Sequence, residues 1–236
     1  MADTFFYEPE LNEQALSFEL SESTAHHCAQ VLRMKAGDIV EITNGKGLLC
    51  TAALDSITKK SCTVKIVQQQ FYPAAEKKIT VAISLLKNTD RFEWFLEKAT
   101  ELGIHVIVPL LCSRTIRQNF RKERMMNIVV AAMLQSRQLW LPHLHDVITI
   151  QDWIKLSPNK TKLIAYCGPA YKKEINAITF TPDTEIIIGP EGDFSPVEIL
   201  LAAEHGYIPV SLGDTRLRTE TAGVVASALI INKIKT

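Results

Sequence analysis

The sequence predicts an α/β protein built in two parts, and three observations point that way. Residues 1 to about 72 break into short alternating segments separated by turn residues. From Ile79 onward, continuous apolar runs of strand length alternate with stretches whose apolar residues recur at helical spacing. Between them, Phe71-Tyr72-Pro73-Ala74-Ala75-Glu76-Lys77-Lys78 sets proline and charge ahead of a new apolar run, which reads as a linker. The expected parts are residues 1–72 and 73–236.

In the first part, residues 38–43 alternate as a strand, Asn44-Gly45 signals a turn, and residues 48–53 return. Residues 63–67 form another alternating strand, and a small barrel or sandwich closes such a set. In the second part, residues 79–86 read as a strand. Residues 90–102 read as a helix with Phe92, Phe95, Leu96, Ala99 and Leu102 on one face and Gly103 as its stop. Residues 104–110 form a second buried strand. Residues 119–139 read as a long helix carrying Met125, Ile128, Val129, Ala132 and Met133 at helical spacing. Further strands fall at 162–166, 185–188 and 208–212, which implies an open, mainly parallel sheet with helices on both faces.

Composition narrows the function. The 47% hydrophobic and 22% charged residues are ordinary for a folded protein. Lys plus Arg and Asp plus Glu both number 26, so no global basic field draws a polyanion, which weighs against indiscriminate nucleic-acid binding. A local basic stretch remains: residues 113–124 hold Arg114, Arg117, Arg121, Lys122 and Arg124 against Glu123 alone. It reads either as a solvated helix face or as a phosphate-binding one. The five cysteines are scattered without a C-x-x-C pair, which fits reduced thiols in a cytosol and no metal site. The opening MADTFFYEPE lacks a secretory pattern, and the longest apolar runs are too short to span a membrane.

Two loops carry the chemistry. In the run Glu185-Ile-Ile-Ile-Gly-Pro-Glu-Gly-Asp-Phe-Ser-Pro-Val-Glu198, a buried strand ends at Gly189 and a Gly189-Pro190-Glu191-Gly192 turn follows. The next helix opens with a full capping signature: Ser195 at the cap, Pro196 first, Glu198 closing the box. The second loop repeats this logic. A strand over 208–212 ends at Gly213, and Asp214-Thr-Arg-Leu-Arg-Thr-Glu-Thr221 leads into a helix over 222–234. Ligands of open α/β sheets bind beyond the carboxyl ends of the strands, and glycines let backbone approach them, so the two turns predict one composite pocket. Small residues Ala222, Gly223, Ala226 and Ser227 on the last helix permit close packing, either inside the domain or against another copy. No G-x-G-x-x-G follows the first strand of this part, and no P-loop, H-E-x-x-H or G-x-S-x-G occurs. Gly45-Lys46-Gly47 reads as a hairpin turn, and the adjacent His26 and His27 cannot share one face as ligands.

Taken together, these loops resemble the RsmE family of SPOUT methyltransferases, which N3-methylate a uridine of small-subunit (16S) ribosomal RNA. The likeness covers nearly the whole chain. His27 with Val31-Leu32-Arg33-Met34-Lys35-Ala36-Gly37-Asp38 is similar to the family's N-terminal motif. Asp90-Arg91-Phe92-Glu93 with Lys98-Ala99-Thr100-Glu101-Leu102-Gly103 is similar to its central one. Ile188-Gly189-Pro190-Glu191-Gly192 and Leu212-Gly213, followed by Leu217-Arg218-Thr219-Glu220-Thr221-Ala222, are similar to its cofactor loops. Three positions depart from the pattern. Arg137-Gln138 stand where glycine then arginine is frequent, Asp193 replaces a frequent glycine, and Arg216 precedes Leu217 where an aliphatic residue is common.

The resemblance implies a PUA-like barrel followed by a SPOUT α/β domain with a trefoil knot around S-adenosylmethionine, and a homodimer through the knotted domains. It implies a cofactor cradle of Ile188, Gly189, Pro190, Glu191, Gly192, Leu212, Gly213, Leu217, Thr221 and Ala222. Arg218 is expected to stabilise charge on the uracil carbonyls, and Glu191 or Glu220 to accept the N3 proton. Arg33, Lys35, Arg114, Arg117 and Arg121 are expected on RNA phosphates. The alternatives are a methyltransferase of another RNA such as a transfer RNA, a non-catalytic ribosome assembly factor, and a phosphate-binding enzyme using the helix capped by Ser195.

Overall fold

A computed structural model describes residues 4–58, 61–116, 120–168 and 172–235. The chain forms two compact units. One runs through Ala74 and takes back Met133–Leu141; the other holds Ala75–Ala132 and everything from Pro142.

The first unit contains β1 (Phe5–Tyr7), β2 (Ser17–Glu19), α1 (Glu22–His26), a π-helical turn over His27–Val31, β3 (Ile39–Thr43), β4 (Leu48–Ile57) and β5 (Cys62–Phe71). They make one five-stranded sheet in the order β1-β3-β4-β5-β2, with β1 parallel to β3 and the other pairs antiparallel. The alternation of β4 sends Leu48, Cys50, Ala52 and Leu54 into a core with Val40, Ile42 and Val64. Asn44 Oδ1 closes the β3–β4 turn by accepting the Lys46 and Leu48 amides at 2.8 and 3.2 Å.

Residues 139–141 lie against that turn. The Gly47 amide donates to the Leu139 carbonyl (2.9 Å), the Leu141 amide to Gly45 (2.8 Å), and Trp140 Nε1 to Tyr72 (3.0 Å). The helix expected over 119–139 is therefore shorter: α3 covers Lys122–Gln135, and Asn119 lies outside the described residues. Its end is a Schellman closure, with the Gln138 amide on Met133 O and the Arg137 amide on Leu134 O. Arg137 takes a left-handed position, φ +54°, which only glycine occupies without strain. Its guanidinium is held by the Glu41 carboxylate and by the Phe5 ring, 5.2 Å away. Arg137→Ala and Arg137→Gly both lose these contacts but only alanine keeps the strain, so urea unfolding should show Arg137→Ala about 1 kcal/mol less stable than Arg137→Gly.

The second unit continues the chain with β6 (Lys78–Ser84), α2 (Thr89–Leu102), β7 (Val106–Leu111), α3, β8 (His143–Leu144), β9 (Ile148–Thr149), α4 (Ile150–Leu156), β10 (Thr161–Ala165), β11 (Lys173–Glu174), β12 (Asp183–Ile188), α5 (Pro196–Glu204), β13 (Ile208–Ser211) and α6 (Thr219–Lys235). Every ladder of its eight-stranded sheet is parallel, in the order β11-β13-β10-β12-β6-β7-β8 with β9 also on β7. On one face, Ala82, Val108, Ile164 and Ile187 pack under Trp153 and Ile154 of α4 and Ala202 of α5. The neighbouring Ile83 points the other way, to α6. A Cβ on Gly223 would lie 2.6 Å from the Phe95 ring and 3.0 Å from Ile83, so the small-residue face of α6 is occupied by the domain's own core. The buried Glu185 accepts hydrogen bonds from Ser157, Asn159 and Tyr207. Burial first, and then that carboxylate's charge, push the Tyr207 hydroxyl above the ordinary tyrosine range.

Candidate functional site

Strands β13, β10 and β12 are neighbours, and their parallel ladders align Val210, Ala165 and Ile188 in one row. All three strands end just beyond that row, on the same edge of the sheet. The chain order also reverses here: β6 leads outward to β7 and β8, whereas β10, β12 and β13 fill in on the other side. This is where open parallel sheets hold ligands. A cleft of about 540 Å³ opens at this edge, within the roughly 300–1,000 Å³ typical of small-ligand sites.

The turn after β12 is built by local chemistry. The Asp193 amide closes it on the Pro190 carbonyl (2.9 Å). Asp193 itself has φ +62°, a conformation that favours glycine, and its Oδ1 accepts the Phe194 amide at 2.9 Å. At Gly189 the need for glycine is steric, because a Cβ would stand 2.9 Å from the buried Phe194 ring. At Gly213 it is conformational, since φ is +131°. The capping box of α5 is present as expected, with the Ser195 amide on Glu198 Oε2 at 2.7 Å and the Glu198 amide on Ser195 Oγ. Glu198 is fully buried, and its Oε1 also accepts the Ser113 amide from the loop after β7, at 2.7 Å.

The cleft brings together Ile188, Gly189, Pro190, Glu191, Leu212, Gly213, Leu217, Arg218 and Ala222. Gly192 and Thr221 are not among its lining residues, and Gly192 packs instead beneath the Arg114 side chain. Arg218 stands exposed just before α6, its carbonyl accepting the Ala222 amide at 2.7 Å. Of the two candidate carboxylates, Glu191 is exposed in the cleft wall. Glu220 is 6% exposed, outside the lining, with Oε1 3.8 Å from Arg91 Nε. A third wall was not anticipated: Tyr166 and Cys167 after β10, together with Lys172. Its sequence signal is a further predicted strand ending close to a glycine, Gly168.

Only the end of the basic stretch lies on a helix. Ser113 and Arg114 form a turn, α3 begins only at Lys122, and Arg117 lies outside the described residues. Arg114 donates to the Gly192 carbonyl, while Lys122 pairs with Asp146 and Arg124 with Glu93. Arg121 is exposed in this unit, as are Arg33 and Lys35 in the first.

The profile of the RNA methyltransferase domain matches residues 73–231, and that of the RNA methyltransferase PUA domain matches residues 20–67. Ribosomal RNA small subunit methyltransferase E of Rickettsia conorii is 32% identical over 216 residues, which cover 89% of this chain and 87% of that protein. A crystal structure of a "probable rRNA-methyltransferase" from Porphyromonas gingivalis aligns with a TM-score of 0.90 at 36% identity, covering 98% of both chains. Ribosomal RNA small subunit methyltransferase E from Neisseria gonorrhoeae, bound to S-adenosyl methionine, aligns with a TM-score of 0.87 at 26% identity over 97% of both chains. With the parallel sheet, the two profile matches and these relatives in agreement, the chain belongs to the RNA methyltransferase family that includes ribosomal RNA small subunit methyltransferase E.

Proposed function

We propose that this chain is an S-adenosylmethionine-dependent methyltransferase acting on N3 of a uridine in small-subunit ribosomal RNA. The observation that carries the reading is the convergence of three neighbouring strand ends on one cleft with Arg218 in its wall. The cleft suits the donor: its volume is that of a small-ligand site, and its walls alternate strand-end backbone at Gly189 and Gly213 with apolar Ile188, Leu212 and Leu217. When bound, S-adenosylmethionine supplies a methyl group already activated by a sulfonium cation.

The chain's own residues then do the rest. The strand-end turns hold and orient, which lowers the entropic part of the barrier by several kcal/mol in systems of this kind. Neutral uridine carries a proton on N3, so the acceptor becomes nucleophilic only as that proton leaves. Arg218 stabilises the negative charge that spreads onto the uracil carbonyls. Glu191, the carboxylate in the cleft wall, accepts the proton directly or through water. Glu220 is instead buried in the first turn of α6, facing Arg91. Exposed Arg33, Lys35 and Arg121, together with Arg117, serve phosphates. The second unit carries the trefoil knot and forms a homodimer. Support for the homodimer comes from α5, which exposes Val197 (72%) and Leu200 (62%) one turn apart. The free cysteines suit a reducing cytosol.

The test uses labelled donor and small ribosomal subunits from a strain lacking the enzyme. The reading requires label in small-subunit RNA, released by nuclease digestion as N3-methyluridine. Label in another RNA, or none, would refute it.

The cleft also makes a thiol prediction. Burial, with the Glu198 charge next, pushes Cys112 up to about 12, and burial with Cys62 does the same for Cys28. Burial also raises Cys50 and Cys62, whereas Cys167 lies exposed in the cleft wall. At mildly alkaline pH a thiol reagent should therefore modify Cys167 fast and the other four slowly, and donor should slow the fast phase at least fivefold. Peptide mapping by mass spectrometry checks both parts.

A further inference from the structure

Two arginines from different loops end on consecutive carbonyls of one turn. Arg114 Nη1 donates to Gly192 O at 2.7 Å, and Arg216 Nη2 donates to Glu191 O at 3.3 Å. Arg114 comes from the loop after β7, which the Ser113–Glu198 bond already moors to the same segment. Its side chain lies along Gly192, 3.4 Å from where a Cβ would stand. Arg216 comes from the loop after β13 and lines the cleft, as does Glu191; Arg114 and Gly192 do not. The turn is gripped from the cleft side and from outside it.

The turn's own Asp193–Pro190 bond ties its outer peptides, and leaves the central Glu191–Gly192 peptide, next to a glycine, to be held from outside. Each peptide is a rigid plane, so fixing two successive carbonyls fixes the orientation of both amides around Gly192. Guanidinium donors make stronger bonds to carbonyls than neutral groups do.

We propose that Arg114 and Arg216 are positioning residues for the methyl donor, clamping the Glu191–Gly192 turn so that the cleft is preformed. Arg114 is thereby committed to the turn and not to an RNA phosphate. This rests on the donor site proposed above.

The experiment compares Arg114→Ala, Arg216→Ala and the two Arg→Lys variants of the full chain. Donor affinity is read by calorimetry and by Cys167 protection, kinetics by methyl transfer, and RNA affinity against salt. Each alanine variant should raise the donor Kd about tenfold, and lysine should recover part of the loss. KM for the donor should rise far more than kcat falls. In Arg114→Ala the salt slope of RNA binding should stay at the parent value, whereas a lost phosphate contact lowers it by about 0.7. Both guanidinium groups are exposed, so midpoints without donor should hold; where one drops, the lysine variant decides. Parental donor affinity in both alanine variants would overturn the clamp, as would a reduced salt slope with donor binding intact. No donor binding by the parent chain would overturn the proposed function itself.

Discussion

Replacing Arg218 with alanine should lower methyl transfer by about 10²–10³-fold at saturating donor, the size of effect seen when one charge-stabilising donor is removed from a preorganised site. The residue lies in the cleft wall immediately before α6. Its backbone carbonyl takes the Ala222 amide at 2.7 Å, a bond that alanine at 218 leaves in place. The helix start should therefore survive, and the loss should fall on the chemical step. Single-turnover assays with subunits and saturating donor read that step directly. Lysine restores charge without the planar fork, so Arg218→Lys should recover only part of the rate. An alanine variant that turns over like the parent would remove Arg218 from the mechanism.

Glu198→Ala should cost about 3 kcal/mol of stability and weaken donor binding with it. The carboxylate is fully buried and accepts from three groups: the Ser113 amide, the Ser195 amide and the Ser195 hydroxyl. Loss of the capping box alone costs about 1 kcal/mol, and a buried amide left without an acceptor costs about 1–3 more. The Ser113 bond also ties the loop after β7 to the first turn of α5, so its removal loosens the turn before that helix, which Arg114 grips. Glu198→Gln keeps one acceptor oxygen and should retain over half of the stability. Urea unfolding measures the first effect and calorimetry the second. A loss below about 1 kcal/mol would show that water replaces the carboxylate at no great cost.

The parts that were legible in the sequence are those with local causes. Helix α2 announces itself through the spacing of Phe92, Phe95, Leu96 and Ala99 and through Gly103, which takes φ +87° at its end. The capping box of α5 is a four-residue pattern, and the structure forms it in full. The two glycine-ended turns meet because both follow parallel strands, and parallel strands share one carboxyl edge. What was not legible depends on partners distant in the chain. Nothing near Arg114 indicates that its donor group ends on Gly192, 78 residues away. Nothing near Glu220 marks Arg91 as its neighbour, and the likeness of its segment to a cofactor loop pointed toward the cleft. Residues 136–139 read as a continuation of α3, but a left-handed Arg137 ends the helix and turns the chain toward Gly45 and Gly47. The strands of two or three residues are too short for any periodicity to register.

The position of β12 constrains how the protein is made. It lies between β6 and β10, both of which precede it in the chain. As the polypeptide leaves the ribosome, those two ladders must wait for the strand that separates them. Their final spacing, two strand widths or roughly 10 Å, cannot be reached beforehand. Until Asp183–Ile188 arrives, both flanking strands present bare amides and carbonyls able to recruit a neighbouring nascent chain. Assembly of the sheet is thus tied to late, long-range closure, which makes it slow and places the greatest aggregation hazard just before that strand emerges.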